Sequence, residues 1–253
     1  SSISLSGIIA PNMGRRKGLN LYELDKVIEQ AFSVKNLKAV VLQINSPGGS
    51  PVQSEMISKR IRDLSEDKNI PVLAFVEDVA ASGGYWLACA ADEIFASKAS
   101  IIGSIGVVSS GFGFDKAIKK IGVDRRLYTS GENKAILDPF LPENKDDIKR
   151  LKDIQKELHN QFISFVKSRR GSKITNKNKD LFTGAFWSGE KSLELGLIDD
   201  YGEMKSVLKQ RFGENVKIKE FAPKKKLFGF SNLFSGGIDL SLIHISEPTR
   251  LER

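Results

Sequence analysis

The stretch that decides the fold is PVLAFVEDVAASGGYWLACAA, residues 71–91. Residues 71–76 form an apolar run that predicts a β-strand, and the small-residue run that begins at Tyr85 predicts a helix. Ser82 lies in the turn between them, so its hydroxyl is expected near a helix N-terminus. Gly83 and Gly84 follow without a Cβ, which lets backbone N–H groups approach a developing oxyanion. The stretch therefore predicts a serine placed to act as a nucleophile.

The usual partner of such a serine, a histidine base, is missing. The chain has two histidines: we interpret His159 as a surface residue of a charged helix, and His244 lies in an anomalous C-terminal stretch. A lysine is the known alternative base. The candidate is Lys134, in residues 128–135. A lysine base must be neutral, so its pKa must fall from about 10.4, and burial in a dry pocket lowers lysine pKa values to about 5–6.

Strand and helix signals alternate along the chain. The apolar patterns predict strands at residues 3–10, 38–45, 71–76, 93–96 and 101–109. They predict helices at residues 21–32, 51–64, 82–91 and 143–170. Asn20 and Ser50 are predicted N-caps, and Val52, Met56 and Ile57 are expected on the buried face of their helix. This alternation predicts βαβ units and the α/β class with mostly parallel sheets.

Composition bounds the class of protein. The 253 residues are 40% hydrophobic and 28% charged, as in soluble globular proteins, and no run reaches the roughly 18–20 apolar residues of a membrane span. We predict one domain over residues 1–222 and a disordered, partly non-native tail over residues 223–253. Residues 241–253 match nothing that precedes them and are interpreted as vector- or read-through-derived.

The charges and the cysteine count exclude several functions. The net charge is +8, but the lysines are dispersed and no basic stripe is interleaved with aromatic residues, so no nucleic-acid partner is expected. The single cysteine, Cys89, lies in an Ala-rich helix and is interpreted as a buried structural thiol. The histidines are far apart and no cysteine pair exists, so we expect no metal site and no cofactor.

Five blocks of sequence carry a resemblance to a known family. They are NSPGG at residues 45–49, ASGGY at 81–85, GSIG at 103–106, SGENK at 130–134, and WSG at 187–189 with GLID at 196–199. In this order, and with this separation of Ser82 from Lys134, the chain resembles the signal peptide peptidase A family of Ser/Lys-dyad membrane-associated serine proteases. The resemblance covers residues 3–222. It implies a crotonase- and caseinolytic-protease-like fold, a repeated β-β-α superhelix.

The resemblance also implies a role for each site residue. Ser82 corresponds to the nucleophile and Lys134 to its base. Ser104, in a Gly-rich turn, corresponds to the hydroxyl that orients the lysine amine. The N–H groups of Gly49 and Gly83 correspond to the oxyanion hole.

Function and location are expectations from the same resemblance. It implies a serine endopeptidase that degrades signal-peptide remnants and other membrane-proximal peptides on the extracytoplasmic (periplasmic) side of a bacterial cytoplasmic membrane. An N-terminal membrane anchor, absent from a chain that starts at Ser1, and a homo-oligomeric ring with dyads shared between neighbours are expected too. Two alternatives stay open: an acyl-CoA enzyme of the crotonase class, and an inactive scaffold of the same fold.

Overall fold

The computed structural model describes residues 1–12, 18–131, 133–174 and 178–222. Its strands are β1 Ser2–Ser6, β2 Val40–Ser46, β3 Val72–Ala81, β4 Glu93–Ala96, β5 Ile101–Gly103, β6 Phe186–Ser188, β7 Asp200–Tyr201 and β8 Glu220–Phe221. Its helices are α1 Leu21–Phe32, α2 Pro51–Lys68, α3 Gly83–Ala88, α4 Asp115–Lys120, α5 Lys145–Arg170, α6 Gly189–Glu194 and α7 Met204–Phe212. The tail at residues 223–253 and His244 lie outside the described residues, so the proposed domain boundary stays a prediction.

The described strands form an eight-stranded sheet in the order β6–β5–β3–β2–β1–β8, with β4 and β7 off this path. Every described pair is parallel apart from β5–β6. β3 is the centre of the sheet, because residues 73–76 pair with β4 and residues 79–81 pair with β5. β4 therefore pairs with the first part of β3, and β5 pairs with the last part, which ends just before Ser82. The predicted mostly parallel α/β fold class is confirmed.

Helices cover both faces of the sheet. Side chains alternate across β2, so Leu42 joins the larger core under α1, α2 and α3, whereas Val41 joins a smaller core on the opposite face. In the smaller core the Phe75 and Phe95 rings stack with centroids 5.0 Å apart, and α7 packs in the same cluster. Burial on two faces holds β3 rigidly, which fixes the position of the turn that follows it.

The starts of α1 and α2 are confirmed, whereas α3 begins at Gly83 and α5 at Lys145, and one predicted helix face is partly wrong. The Asn20 side chain caps α1 and the Ser50 side chain caps α2, as predicted. Val52 and Met56 are exposed, however, and the buried face of α2 includes Ser54 and Ser58. Ser58 Oγ donates to the Trp86 carbonyl at 3.4 Å. Small hydroxyl side chains occupy this face because α2 lies directly against α3.

Backbone conformation corrects three strand lengths. β1 ends at Ser6, not at residue 10, because Gly7 has φ +108°. β5 ends at Gly103, not at residue 109, because Gly103 and Ser104 have φ of +110° and +53°, which break a strand. β3 is longer than predicted and extends to Ala81. The extra length carries the chain directly to the serine turn.

Residues 107–144, here called the arm, connect β5 to α5. None of the described residues of the arm is buried. Its apolar side chains include Phe112, Ile121 and Tyr128, all exposed, the last at 90%. Lys134 lies on this arm, outside both cores. Among the helices of the described ranges, none combines the length and the apolar character that crossing a bilayer requires.

Candidate active site

Ser82 occupies a strained hinge between β3 and α3. Its backbone has φ +52° and ψ −122°, a region that non-glycine residues rarely adopt and that costs about 1–3 kcal/mol. Two hydrogen bonds hold it there: Ser82 N–H donates to Gly103 O at 2.7 Å, and Trp86 N–H donates to Ser82 O at 3.0 Å. The surrounding sheet and helix therefore impose a conformation that the serine alone would not choose.

The Ser82 hydroxyl is buried, and within the described ranges it has no hydrogen-bond partner. A buried polar atom left unpaired costs about 1–3 kcal/mol, so most are paired in native proteins. Backbone strain and an unpaired hydroxyl thus coincide on one residue. Strained backbone and unsatisfied buried polar groups are typical of functional positions.

Two unpaired backbone donors lie beside this serine. The turn before α2 packs directly on it, because a Cβ on Gly48 would lie 2.9 Å from Ser82 Cβ. A Cβ on Gly83 would lie 3.3 Å from Gly49 N, so those two glycines are neighbours. In the described part of the chain, neither Gly49 N–H nor Gly83 N–H donates a hydrogen bond. Two free donors beside a serine hydroxyl are the requirement for binding an oxyanion.

Gly49 is held in place by Ile9. Ile9 N–H donates to Gly48 O at 2.8 Å, and Ser50 N–H donates to Ile9 O at 2.7 Å. These two bonds flank Gly49 and leave its own N–H free. Gly49 has φ +143°, and a Cβ there would lie 1.9 Å from Ile9 O, so only glycine fits. The sequence turn alone did not reveal this contribution of Ile9.

Ser104 lies in the turn that also anchors Ser82. Gly103 O accepts the Ser82 N–H, and Ser104 N–H donates to Ala185 O at 2.7 Å. Ser104 has φ +53° and is half-buried. The chain therefore brings together Ser82, Gly83, Gly49 and the turn of Ser104, although the roles of these residues stay predictions.

His159 differs from the surface residue that the sequence suggested. It is half-buried, and its Nε2 lies 3.0 Å from Ile105 O, next to the turn of Ser104. The contact attaches α5 to that turn. Sequence reasoning missed it because His159 is surrounded in the sequence by charged residues of a solvated helix.

Lys134 is not brought to Ser82 within one chain. Its side chain is exposed, and along the described ranges it forms no hydrogen bond or ion pair. Its backbone N–H donates to Gly131 O at 3.2 Å in a turn of the arm. A Ser82–Lys134 contact therefore requires another arrangement of the arm or another copy of the chain.

The remaining reactive groups of the described residues do not form a second centre. No group of three His, Cys, Asp or Glu side chains in those ranges could hold a metal ion. Cys89 is buried at the end of α3, and burial raises the pKa of its thiol to about 12. The predicted burial of Cys89 is thereby confirmed, and a thiol with so high a pKa forms little reactive thiolate near neutral pH.

Within the described residues, a strained serine without a hydrogen-bond partner lies beside two backbone N–H groups that donate no hydrogen bond, which is the arrangement that a serine hydrolase requires. The model of peptidase family S49 matches residues 65–218, which include both Ser82 and Lys134. The chain belongs to peptidase family S49. The predicted relationship to the signal peptide peptidase A family is thereby confirmed.

Of two similar proteins, one carries a name from this family and the other does not. The chain is 31% identical over 214 residues to a putative signal peptide peptidase SppA of Enterococcus faecium, covering 81% of this chain and 60% of that protein. It is 52% identical over 214 residues to a Brucella abortus protein named Na(+)/H(+) antiporter NhaA, covering 85% of this chain and 29% of that protein. The chain thus spans less than two thirds of either relative. The peptidase match, not the antiporter name, describes the aligned segment.

A solved structure shows the same fold. The 1510-N membrane-bound stomatin-specific protease S97A mutant aligns with a TM-score of 0.54 and 19% identity. The alignment covers 88% of this chain and 97% of that one. At this identity the likeness concerns the fold alone.

Proposed function

We propose that this chain is the catalytic domain of a serine endopeptidase in which Ser82 is the nucleophile and Lys134 of a second copy is the base. The observation that carries the proposal is the buried Ser82 hydroxyl on its strained turn, beside the N–H groups of Gly49 and Gly83, all three without a hydrogen-bond partner among the described residues. Membership of a serine peptidase family supports it.

The chemistry follows from these positions. Ser82 Oγ attacks the peptide carbonyl carbon while its proton passes to the neutral Lys134 amine. The carbonyl π electrons move to oxygen, and the N–H groups of Gly49 and Gly83 bind the resulting oxyanion. Collapse of this intermediate breaks the C–N bond, and the lysine ammonium protonates the leaving amine. Water, deprotonated by the same lysine, then hydrolyses the acyl-enzyme.

A second copy supplies what one chain lacks. Lys134 is exposed on the arm, none of whose described residues is buried, whereas a lysine base needs a desolvated site. The arm also exposes Phe112, Ile121 and Tyr128, a set of large apolar side chains that favours a protein contact. Packing of the arm on a neighbour would bury Lys134 and complete the site. A homo-oligomeric ring of such contacts is the assembly we propose.

The proposed substrates are signal-peptide remnants and other extended, membrane-proximal peptides. The name of the Enterococcus relative supports this class. We propose that the domain acts on the extracytoplasmic side of a bacterial cytoplasmic membrane, to which an N-terminal anchor would attach it.

Two substitutions test the proposal. Ser82→Ala and Lys134→Ala should each lower peptidase kcat/KM by at least about 1,000-fold, because each removes a group that participates in bond formation. Lys120→Ala, which changes another exposed lysine of the arm, should leave kcat/KM unchanged. Chromogenic peptide hydrolysis and labelling of Ser82 by a fluorophosphonate are the two measurements. A Lys134→Ala protein that keeps half of its activity would refute the assignment of the base.

A further inference from the structure

An ion pair between Arg125 and Asp138 joins the two ends of the chain segment that carries Lys134. Arg125 Nη2 lies 2.8 Å and Nε 3.2 Å from the same oxygen, Asp138 Oδ2. We propose that this pair is a positioning element for the base: it fixes both ends of the segment that presents Lys134 to a neighbouring Ser82. The inference rests on the proposed role of Lys134.

Asp138 is the less exposed partner of the ion pair. Its side chain is only 9% exposed, although no described residue of the arm is buried as a whole, and Arg125 is 39% exposed. Its other oxygen accepts the Phe140 N–H at 2.9 Å. The hydrogen bonds from Arg125 and then from Phe140 lower the pKa of this carboxyl group. Asp138 is therefore a charged anchor at the working pH of an enzyme.

An aromatic cluster packs against the Arg125 side of this ion pair. The Arg125 guanidinium lies over the Phe140 ring, 5.8 Å from its centroid, and the Phe140 ring stacks on Phe114 at 5.6 Å. Phe114 N–H donates to Pro139 O at 2.6 Å, which attaches the start of the arm to the residue after Asp138. These contacts are separate from the two cores of the domain. The arm thus has an internal structure of its own.

The backbone next to Lys134 is also constrained. Lys134 N–H donates to Gly131 O at 3.2 Å, and Asp138 N–H donates to Ala135 O at 3.3 Å. Leu137 has φ +59°, which is strained for a residue with a branched side chain, and its N–H donates to Asp147 Oδ2 at 3.3 Å on the first turn of α5. A strained backbone in an exposed turn must be held by its neighbours, and we infer that the ion pair of the adjacent Asp138 holds this one.

An ordinary surface ion pair would have little effect on activity. The arrangement here differs because the two partners bracket the base. A base displaced by about 1 Å can lose about 100-fold in rate, even when the altered residue is remote from the chemistry. The proposal therefore predicts a loss in kcat, with little change in KM or in folding.

The test is a double-mutant cycle with a matched control. Arg125→Gln and Asp138→Asn should each lower kcat about 10- to 100-fold and leave KM within about twofold. The double variant should be no worse than either single variant, because the pair acts as one unit. Arg126→Gln is the control, since Arg126 is an exposed neighbour that forms no ion pair within the described ranges. It should behave like the unaltered protein.

Asp138→Asn is the decisive variant if Arg125→Gln fails to assemble, because asparagine is isosteric and keeps an acceptor for the Phe140 N–H. Turnover is counted only for oligomers verified by size-exclusion chromatography. Arg125→Lys keeps the charge with a single donor group and should recover part of the lost kcat. Variants that turn over like Arg126→Gln, or losses that multiply in the double variant, would overturn the proposal.

These experiments distinguish failure of the positioning role from failure of the proposed function. An active Lys134→Ala protein would refute the base itself. An inactive Lys134→Ala protein together with fully active Arg125→Gln and Asp138→Asn proteins would refute only the positioning role.

Discussion

Replacing Arg170 with methionine should lower the free energy of unfolding by about 2–4 kcal/mol. Arg170 ends α5 and is 1% exposed. Its Nε and Nη2 donate to Gly196 O at 3.1 and 2.8 Å, and its Nη1 donates to Asp199 Oδ2 at 2.6 Å. Methionine fills much of the same volume but makes none of these bonds. The substitution therefore leaves a buried carbonyl and a carboxylate without their main donor.

The magnitude follows from what Asp199 retains. Removing one partner of a buried ion pair costs about 3–5 kcal/mol. Asp199 still receives hydrogen bonds from Lys173 Nζ at 2.6 Å and Ile94 N–H at 2.8 Å, which reduces that cost. Lys173→Met is the matched control, because Lys173 pairs with the same carboxylate but is 41% exposed. It should lower stability by only about 0–1 kcal/mol.

The effect should depend on pH. Burial acts to raise the pKa of Asp199, but hydrogen bonds from Arg170, Lys173 and Ile94 outweigh it and lower the pKa. The stabilisation is therefore complete above the ordinary aspartate pKa of about 3.9 and is lost as pH falls through the lowered pKa. Urea unfolding should give a constant difference between wild type and Arg170→Met at pH 6–8, and a smaller one below about pH 4. A loss equal to that of Lys173→Met would refute the reasoning.

Two further outcomes are expected. Cys89, fully buried with a pKa raised to about 12, should resist iodoacetamide at pH 8 until urea unfolds the protein, and stoichiometric native-state alkylation would contradict this. Gly49→Ala should lower kcat at least about 100-fold, because a Cβ 1.9 Å from Ile9 O displaces an oxyanion donor. Gly111→Ala, whose Cβ meets nothing within 4 Å, should leave kcat unchanged, and equal rates for the two variants would remove Gly49 from the site.

The parts of the fold that depend on local sequence could be predicted. Asn20 and Ser50 each accept the backbone N–H of the residue three positions further on, and such caps can be read directly from the chain. The buried face of α2 could not be read in the same way. Ser54 and Ser58 are buried because α3 lies close to α2, and that proximity depends on the order of strands in the sheet.

The site residues that follow neighbouring strands of the sheet could be predicted from the sequence, whereas those whose contacts have no local sequence signal could not. Gly49 and Ser82 follow neighbouring parallel strands, β2 and β3, and the C-terminal ends of such strands meet at one edge of the sheet. Their proximity could therefore be expected. The contact of His159 with Ile105 O joins residues far apart in sequence and has no local signal. The position of Lys134 relative to Ser82 could not be predicted, because Lys134 is exposed on the arm and belongs to neither core.

Mixed assembly tests the central claim, a Ser82–Lys134 site shared between copies, most directly. Ser82→Ala and Lys134→Ala chains are denatured together in equal amounts, refolded, verified as mixed oligomers by differential tags, and assayed. Each junction of an intact Ser82 with a neighbour's intact Lys134 forms one complete site, and random mixing creates it at about one junction in four. The account predicts activity near a quarter of wild type. Verified mixed oligomers with no activity above either variant alone would contradict it.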